Sequence, residues 1–307
     1  MTAPLPASDI AAAAQLACLL EVTAPKPGNV APGRPFSDTS LEDFLASAAA
    51  IGTPLGGAGT RPLGETIHLA ASVTRRWTSA NTNLGIVLLL APLARAAACH
   101  EMTRGAVPGA EYRAELRTTL GRVLAATTVA DAREAYAAIR LAAPGGLGTV
   151  PSQDIAAEPT VTLLEAMRLA AGRDGIAREY ATDFQATFEV AAPALVAARG
   201  AGLAWSDAIV ETFLRLLAVH PDTHIARRGG TGLADEVSRQ ARVAIGAGGV
   251  RSAAGREAIA RMDAALRDAR NVANPGTTAD LTAAAIFVVL LGGGWQSRSG
   301  GLHAAPR

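Results

Sequence analysis

The sequence predicts an all-α protein, one compact multi-helix domain over residues 1–307 with its functional residues in the loops between helices. Three observations predict it. Half of the residues are hydrophobic but only 4% are aromatic, and alanine is abundant. That composition suits closely packed helices better than strands, which favour aromatic and β-branched side chains. Apolar residues recur at helical spacing between loops rich in glycine and proline. No alternating run is long enough for a strand, and no repeat or low-complexity linker divides the chain.

The elements follow in order. Ser8 is placed to cap a first helix running to about Glu21. The loop Thr23–Asp38 holds four prolines and two glycines, which excludes regular structure. Ser40 followed by Asp43 gives a start resembling a capping box to a second helix through Ile51. Pro62 suits the first turn of a third, with Leu63, Ile67, Ala70 and Ala71 on one face. Asn81 or Thr82 opens a buried fourth helix, Leu84–Ala98. Further helices are expected near 110–126, 129–141, 162–172, 174–199, 205–219, 231–246, 252–270 and 278–291. The loops 144–159, 220–230 and 271–277 lie between them.

Charge and patterning exclude several classes. A net charge of +1 leaves no basic stripe for nucleic acid. No Lys or Arg precedes the apolar run Ile10–Leu20, which leads into Glu21, so no export signal is read. The apolar stretch Leu84–Ala94 is about half a membrane span and contains Pro92. A cytoplasmic protein with no membrane partner is expected. Cys18 and Cys99 sit in apolar helical runs and are expected to fill core positions. Among 28 basic residues Lys26 is the only lysine, as suits a compact point charge on phosphate.

Polar residues gather in five places. Pro25 and Pro27 stiffen the backbone around Lys26, and Gly28 permits close approach. Asp38, Asp43 and Glu65 lie near helix starts. There they can complement the helix dipole, as Asp43 does, or, as Asp38 and Glu65 could, hold Mg²⁺ together with phosphate oxygens. Asn81-Thr-Asn-Leu-Gly85 can cap the fourth helix or present amides to a phosphate or ribose. Asp222, His224, Arg227 and Arg228 crowd a segment ending in Gly229-Gly230, where arginine is placed for phosphate. Asn274-Pro-Gly-Thr-Thr-Ala-Asp280 reads as a turn and a capped last helix. Phosphate loops of the GxxxxGK[ST] kind, GxGxxG, HExxH, CxxC and GxSxG are absent.

In this order the clusters resemble the triphosphoribosyl-dephospho-CoA synthase family. The matching pieces are Glu21 with Pro25-Lys-Pro-Gly-Asn29-Val30, Phe36, Asp38 and Asp43-Phe-Leu-Ala-Ser47. They continue through Gly64-Glu65, Asn81 to Gly85, Asp222 to Gly230, and Asn274 to Leu281. The resemblance implies an all-helical transferase for small nucleotide substrates. Adenine leaves ATP, and the triphosphoribosyl group joins a ribose hydroxyl of 3′-dephospho-CoA. It further implies catalytic carboxylates at Asp38, Glu65 and Asp222, of which Asp38 and Glu65 would hold Mg²⁺. Glu21, Lys26, Asn29, Ser47, Asn81, Asn83 and Arg228 would bind the nucleotide. The best-known members carry His-Lys where this chain has Asn83-Leu84, a form similar to a branch linked with tetrahydromethanopterin-type cofactor biosynthesis. Two alternatives therefore stand beside the transfer itself: another nucleotide- or phosphoribosyl-handling step in that biosynthesis, and a non-catalytic helical protein binding a nucleotide or partner.

Overall fold

A computed structural model describes residues 4–99, 109–145, 148 and 152–295, and every regular element among them is helical. Ala31 and Arg34 pair only as an isolated bridge. Helix α1 (Ala7–Thr23) starts after Pro6 without a side-chain cap. Helix α2 (Leu41–Ala50) begins where Ser40 N and Oγ donate to Asp43 Oδ2 at 2.9 and 3.2 Å. Thr78 Oγ1 also donates to Asp43 Oδ1 at 2.8 Å, so one carboxylate caps α2 and ties it to the chain beyond the third predicted helix. A short α3 (Gly52–Gly56) and a 3₁₀ turn at Ala58–Thr60 lead into α4 (Leu63–Arg75).

Helix α5 (Leu84–Cys99) carries Pro92 in its interior. Proline lacks the N–H that would bond the carbonyl one turn back. That carbonyl, Leu88 O, instead accepts from the buried Tyr180 hydroxyl at 2.6 Å. Helices α6 (Gly109–Ala125), α7 (Val129–Ala142) and α8 (Leu163–Ala170) follow, the last two with reciprocal Thr128–Asp131 and Thr162–Glu165 caps.

The single helix expected over 174–199 is broken. Helix α9 (Gly175–Ala181) stops, Asp183 and Phe184 take positive φ values of 49° and 58°, and a π-turn (Ala186–Ala191) restarts the chain into α10 (Ala192–Gly200). The cause is Glu179. Its buried carboxylate accepts from Ala186 N and Thr187 N, both at 2.9 Å, and from Thr187 Oγ1 at 2.6 Å, taking donors out of the α-helical ladder.

Helix α11 (Trp205–Val219) precedes α12 (Thr223–Gly229), which lies in a segment expected to be loop. Asp222 caps it, its Oδ1 accepting from His224 N and Ile225 N. Helices α13 (Thr231–Gly246), α14 (Ala253–Leu266) and α15 (Gly276–Leu291) complete the described chain. The α14 helix ends four residues before the expected 270.

Helix α15 is the axis of the molecule. It is apolar nearly all round, the pattern of a helix enclosed by others, and α1, α5, α10 and α11 pack against it. One hydrophobic cluster extends from Leu5 to Leu291. Cys18 lies within it. Cys99, the last residue of α5, is exposed and does not take the core position expected of it. No helix among the described residues is long and apolar enough to cross a membrane.

Helix α4 crosses α7 closely because Gly64 has no side chain. A Cβ there would lie 2.5 Å from Asp131 Cα and 2.6 Å from Asp131 O, and Gly64 N donates to Asp131 Oδ1 at 2.7 Å. Gly→Ala within a helix ordinarily gains up to about 1 kcal/mol. Here Gly64→Ala should instead destabilise by about 1–3 kcal/mol, the usual range for overpacking, read as a lower denaturant midpoint.

Candidate functional site

The N-terminal end of α15 is held by side chains from α12. Asp222, 2% exposed, uses its second oxygen to accept from Thr278 N and Oγ1, both at 2.7 Å. With its two contacts to the α12 amides, four donors meet one carboxylate. Burial pushes its pKa up against the pull of those donors. Beside it Thr223 and Thr277 hydroxyls lie 3.1 Å apart, and Gly276 lets His224 approach closely.

Around this end opens a cleft with two lobes. An apolar lobe of about 170 Å³ is walled by residues such as Leu88, Ile139, Met167 and Ile176, with Arg173, Asp174 and Arg227 at its edge. A polar lobe of about 100 Å³ is lined by Glu21, Asn29, Phe36, Phe44, Asn83 and Asn274, among others. Asn81, Leu84, Gly85, His224 and Asp280 line both, so the two lobes lie side by side.

Glu21, Asn29, Asn81 and Asn83, all expected from sequence to bind nucleotide, thus reach the cleft. Asn81 Oδ1 accepts from Leu84 N at 3.3 Å and Asn83 Nδ2 donates to Thr74 Oγ1 at 3.1 Å. Each therefore serves the start of α5 as well as the wall. Asn29 Nδ2 donates to Pro27 O at 3.2 Å.

The other expected residues stand elsewhere. Lys26 is 1% exposed and lies behind Glu21. Its Nζ donates to the carbonyls of Glu21 and, at 3.2 Å, of Ala24, and lies 2.9 Å from Glu21 Oε1. Three acceptors occupy the three ammonium donors, a geometry that a guanidinium fork does not match. The lone lysine is thus an internal clamp that shapes the loop and orients Glu21. Gly28, at φ +73°, is approached by Leu266 and Pro275 of the chain itself and not by open cleft. The loop is pinned further by Asp263, which accepts from Gly28 N at 2.8 Å, and by Arg267, which donates to Asn29 O at 2.7 Å.

Ser47 is buried behind the cleft wall, bonded to Asp43 O and Thr82. Arg228 donates to the carbonyls of Asn271 and Arg270 at 3.0 and 2.6 Å, fastening α12 to the chain before α15. Asp38 is exposed and near Thr39. Glu65 is exposed on the first turn of α4. It lies nine residues, about 14 Å of helix rise, from Thr74, which touches the cleft wall. Neither Asp38 nor Glu65 lines either lobe, and no three His, Cys, Asp or Glu residues gather as a metal site among the described residues.

Among the charged lining residues, Asp280, Asp174, Asp154 and Arg173 had no binding role in the sequence, whereas Arg227 lies in the segment expected to meet phosphate. Arg227 Nη1 pairs with Asp174 Oδ2, while its buried Nε has no hydrogen-bond partner among the described residues. The orphan Asn274 Oδ1 lies in the polar lobe. His224 is held down to a pKa of about 4, first by burial and then by Arg227 and Arg228, so it is neutral at pH 7.

The sequence profile of the family described as CitG, ATP:dephospho-CoA triphosphoribosyl transferase, matches residues 7–299. The chain belongs to this family. Two curated members align over part of their length. A probable 2-(5″-triphosphoribosyl)-3′-dephosphocoenzyme-A synthase of Stutzerimonas stutzeri (strain A1501) is 34% identical over 36% of this chain and 38% of its own. The 2-(5″-triphosphoribosyl)-3′-dephosphocoenzyme-A synthase of Pectobacterium atrosepticum is 38% identical over 39% of this chain and 37% of its own. The matched region thus spans under two-fifths of these relatives. A crystal structure of an Archaeoglobus fulgidus protein assigned as a triphosphoribosyl-dephospho-CoA synthase superposes with a TM-score of 0.61 at 26% identity, over 81% of this chain and 99% of that one. The CitG family fold is therefore helical in both.

Two outcomes follow from the clamp and from His224. Lys26→Met leaves the Glu21 carboxylate buried without its cation, so chemical denaturation should show a loss of about 3–5 kcal/mol. His224 takes up a proton more readily unfolded than folded. Stability should therefore fall as pH drops from the ordinary histidine range near 6.5 towards 4, and His224→Gln should flatten that part of the pH–stability curve.

Proposed function

We propose that this protein transfers the triphosphoribosyl group of ATP to a hydroxyl of 3′-dephospho-CoA and releases adenine. The observation that carries the reading is the family match over residues 7–299 together with the convergence of four of its widely separated motif residues on one cleft. The chemistry suits the lobes. Breaking the ribose–adenine bond puts positive charge on C1′ and negative charge on the base, so carboxylates near the sugar favour the transition state. The apolar lobe has walls for a flat base, and Arg173 and Arg227 in its lining suit an anion.

The lining carries four acidic residues, Glu21, Asp154, Asp174 and Asp280, against two arginines, Arg173 and Arg227. Lys26 and Arg227 are already engaged with Glu21 and Asp174, which leaves little free positive charge for a bare triphosphate and supports ATP arriving as its Mg²⁺ complex, with phosphate oxygens and water supplying most of the ion's ligands. Asp38 and Glu65 are in the lining of neither lobe.

One observation favours a second acceptor. Leu84 lines both lobes and puts an apolar side chain where the resemblance leads one to expect lysine. A less anionic acceptor than dephospho-CoA, in a tetrahydromethanopterin-type cofactor route, is the corresponding alternative within the same reaction class.

The test incubates the protein with Mg²⁺, ATP and 3′-dephospho-CoA, following free adenine by chromatography and the joined product by mass. Adenine release stoichiometric with product is expected. ATP binding with no adenine release for any hydroxyl acceptor offered would instead mark a nucleotide-binding protein. Chelating Mg²⁺ should weaken ATP binding in calorimetry by roughly tenfold, the worth of one charge-assisted contact.

A further inference from the structure

The carboxylates in and around the cleft are not equivalent. Glu21 is clamped by Lys26, Asp174 is paired with Arg227, Asp154 receives Ala156 N at 2.8 Å, and Asp222 is saturated by four donors. Asp280 accepts no hydrogen bond from the described residues, yet it stands where the two lobes meet. We propose that Asp280 is the catalytic base of the transfer, taking the proton of the acceptor hydroxyl as its oxygen attacks the ribose.

The position is built. Asp280 is the fifth residue of α15, whose preceding residues are fixed by Asp222 and Thr223, so its backbone has little freedom. Its carboxylate lies directly against Gly85: a Cβ at residue 85 would come 2.0 Å from Oδ2 and 2.5 Å from Cγ. The glycine of the Asn81–Gly85 motif thus makes room for the carboxylate. A substrate seated across both lobes must pass Asp280.

The surroundings prepare it to accept a proton. Glu21 and Cys18 face it from α1, Asp222, His224 and Arg227 from α12 and its cap, and Asp174 from the cap of α9. Burial first, then the negative charges of Glu21, Asp222 and Asp174, raise its pKa well above that of an ordinary aspartate, with only Arg227 opposing. A base is most effective when its pKa approaches the working pH. His224, with its depressed pKa, and the saturated Asp222 are poorer candidates.

In the step, the acceptor O–H bond breaks and its proton goes to Asp280. The oxygen forms a bond to C1′ while the C1′–N9 bond breaks, and its electron pair leaves with adenine. Adenine takes one proton from water and Asp280 returns one to water, so charge and atoms balance without a further reactant.

This inference rests on the proposed transfer, and the experiment separates the two. Adenine release and ATP binding are measured for the wild type, Asp280→Asn and Gly85→Ala, with circular dichroism melts of each. Asp280→Asn should keep ATP affinity within about threefold but lose turnover by about 10²–10⁴-fold, the range for a lost general base. Its residual rate should lack the acid limb of the wild-type pH profile. Gly85→Ala, which displaces a carboxylate still present, should also lose turnover while retaining most ATP binding. Asp280→Asn with more than about a tenth of wild-type turnover, or with an unchanged acid limb, overturns the assignment. Should Asp280→Asn not fold, full turnover by Gly85→Ala overturns it alone. No adenine release by the wild type overturns the transfer reaction, and this assignment with it.

Discussion

The architecture of the cleft depends on the carboxylate of Asp222. A buried acid is costly unless its lone pairs are filled, and here two amides of α12 and the amide and hydroxyl of Thr278 fill them. One side chain therefore sets the angle between a short helix and the central one. The consequences spread outward. Thr223 meets Thr277, His224 settles against Gly276, and Arg227 reaches Asp174 at the start of α9. Residues from separate parts of the chain come into register because one charge could not be left alone in the core.

The second constraint is the closed loop from Ala24 to Val30. Its backbone turns inward, so Lys26 spends its charge on the protein and Asp263 with Arg267 fastens the outer edge. A floor made this way is stiff. It gives Glu21, in the last turn of α1, a fixed place in the polar lobe.

Helices with local caps and clear apolar periodicity were legible. The Ser40, Thr128 and Thr162 starts fall close to where sequence puts them because the cap partners lie within three residues. The interruption after Ala181 was not legible. Nothing in the local pattern says that Glu179 will be buried and will claim the amides of Ala186 and Thr187. Helix α12 is an intermediate case: Asp222 is an ordinary N-cap signal, hidden by reading its polar neighbours as a loop. At the site, the motifs located the cleft, but burial decided the work of each residue. Lys26 and Asp222 look like ligand contacts in sequence and are internal supports in the fold. Asp280 reads as part of a turn and a capped helix start, and only the packing of Gly85 against it shows its different situation.

Pro92 and Tyr180 show how far such dependence reaches. The hydroxyl of Tyr180 stands in for a backbone amide that Pro92 cannot supply, so a break in the ladder of α5 is repaired by a side chain from α9. The two residues form one unit of inheritance. A lineage that replaced the proline would regain the amide, and with Leu88 O satisfied by it the hydroxyl would no longer be required, making phenylalanine acceptable at 180. A lineage that lost the hydroxyl first would bury a bare carbonyl in the wall behind the cleft. The permitted order of change along that branch is therefore proline before tyrosine.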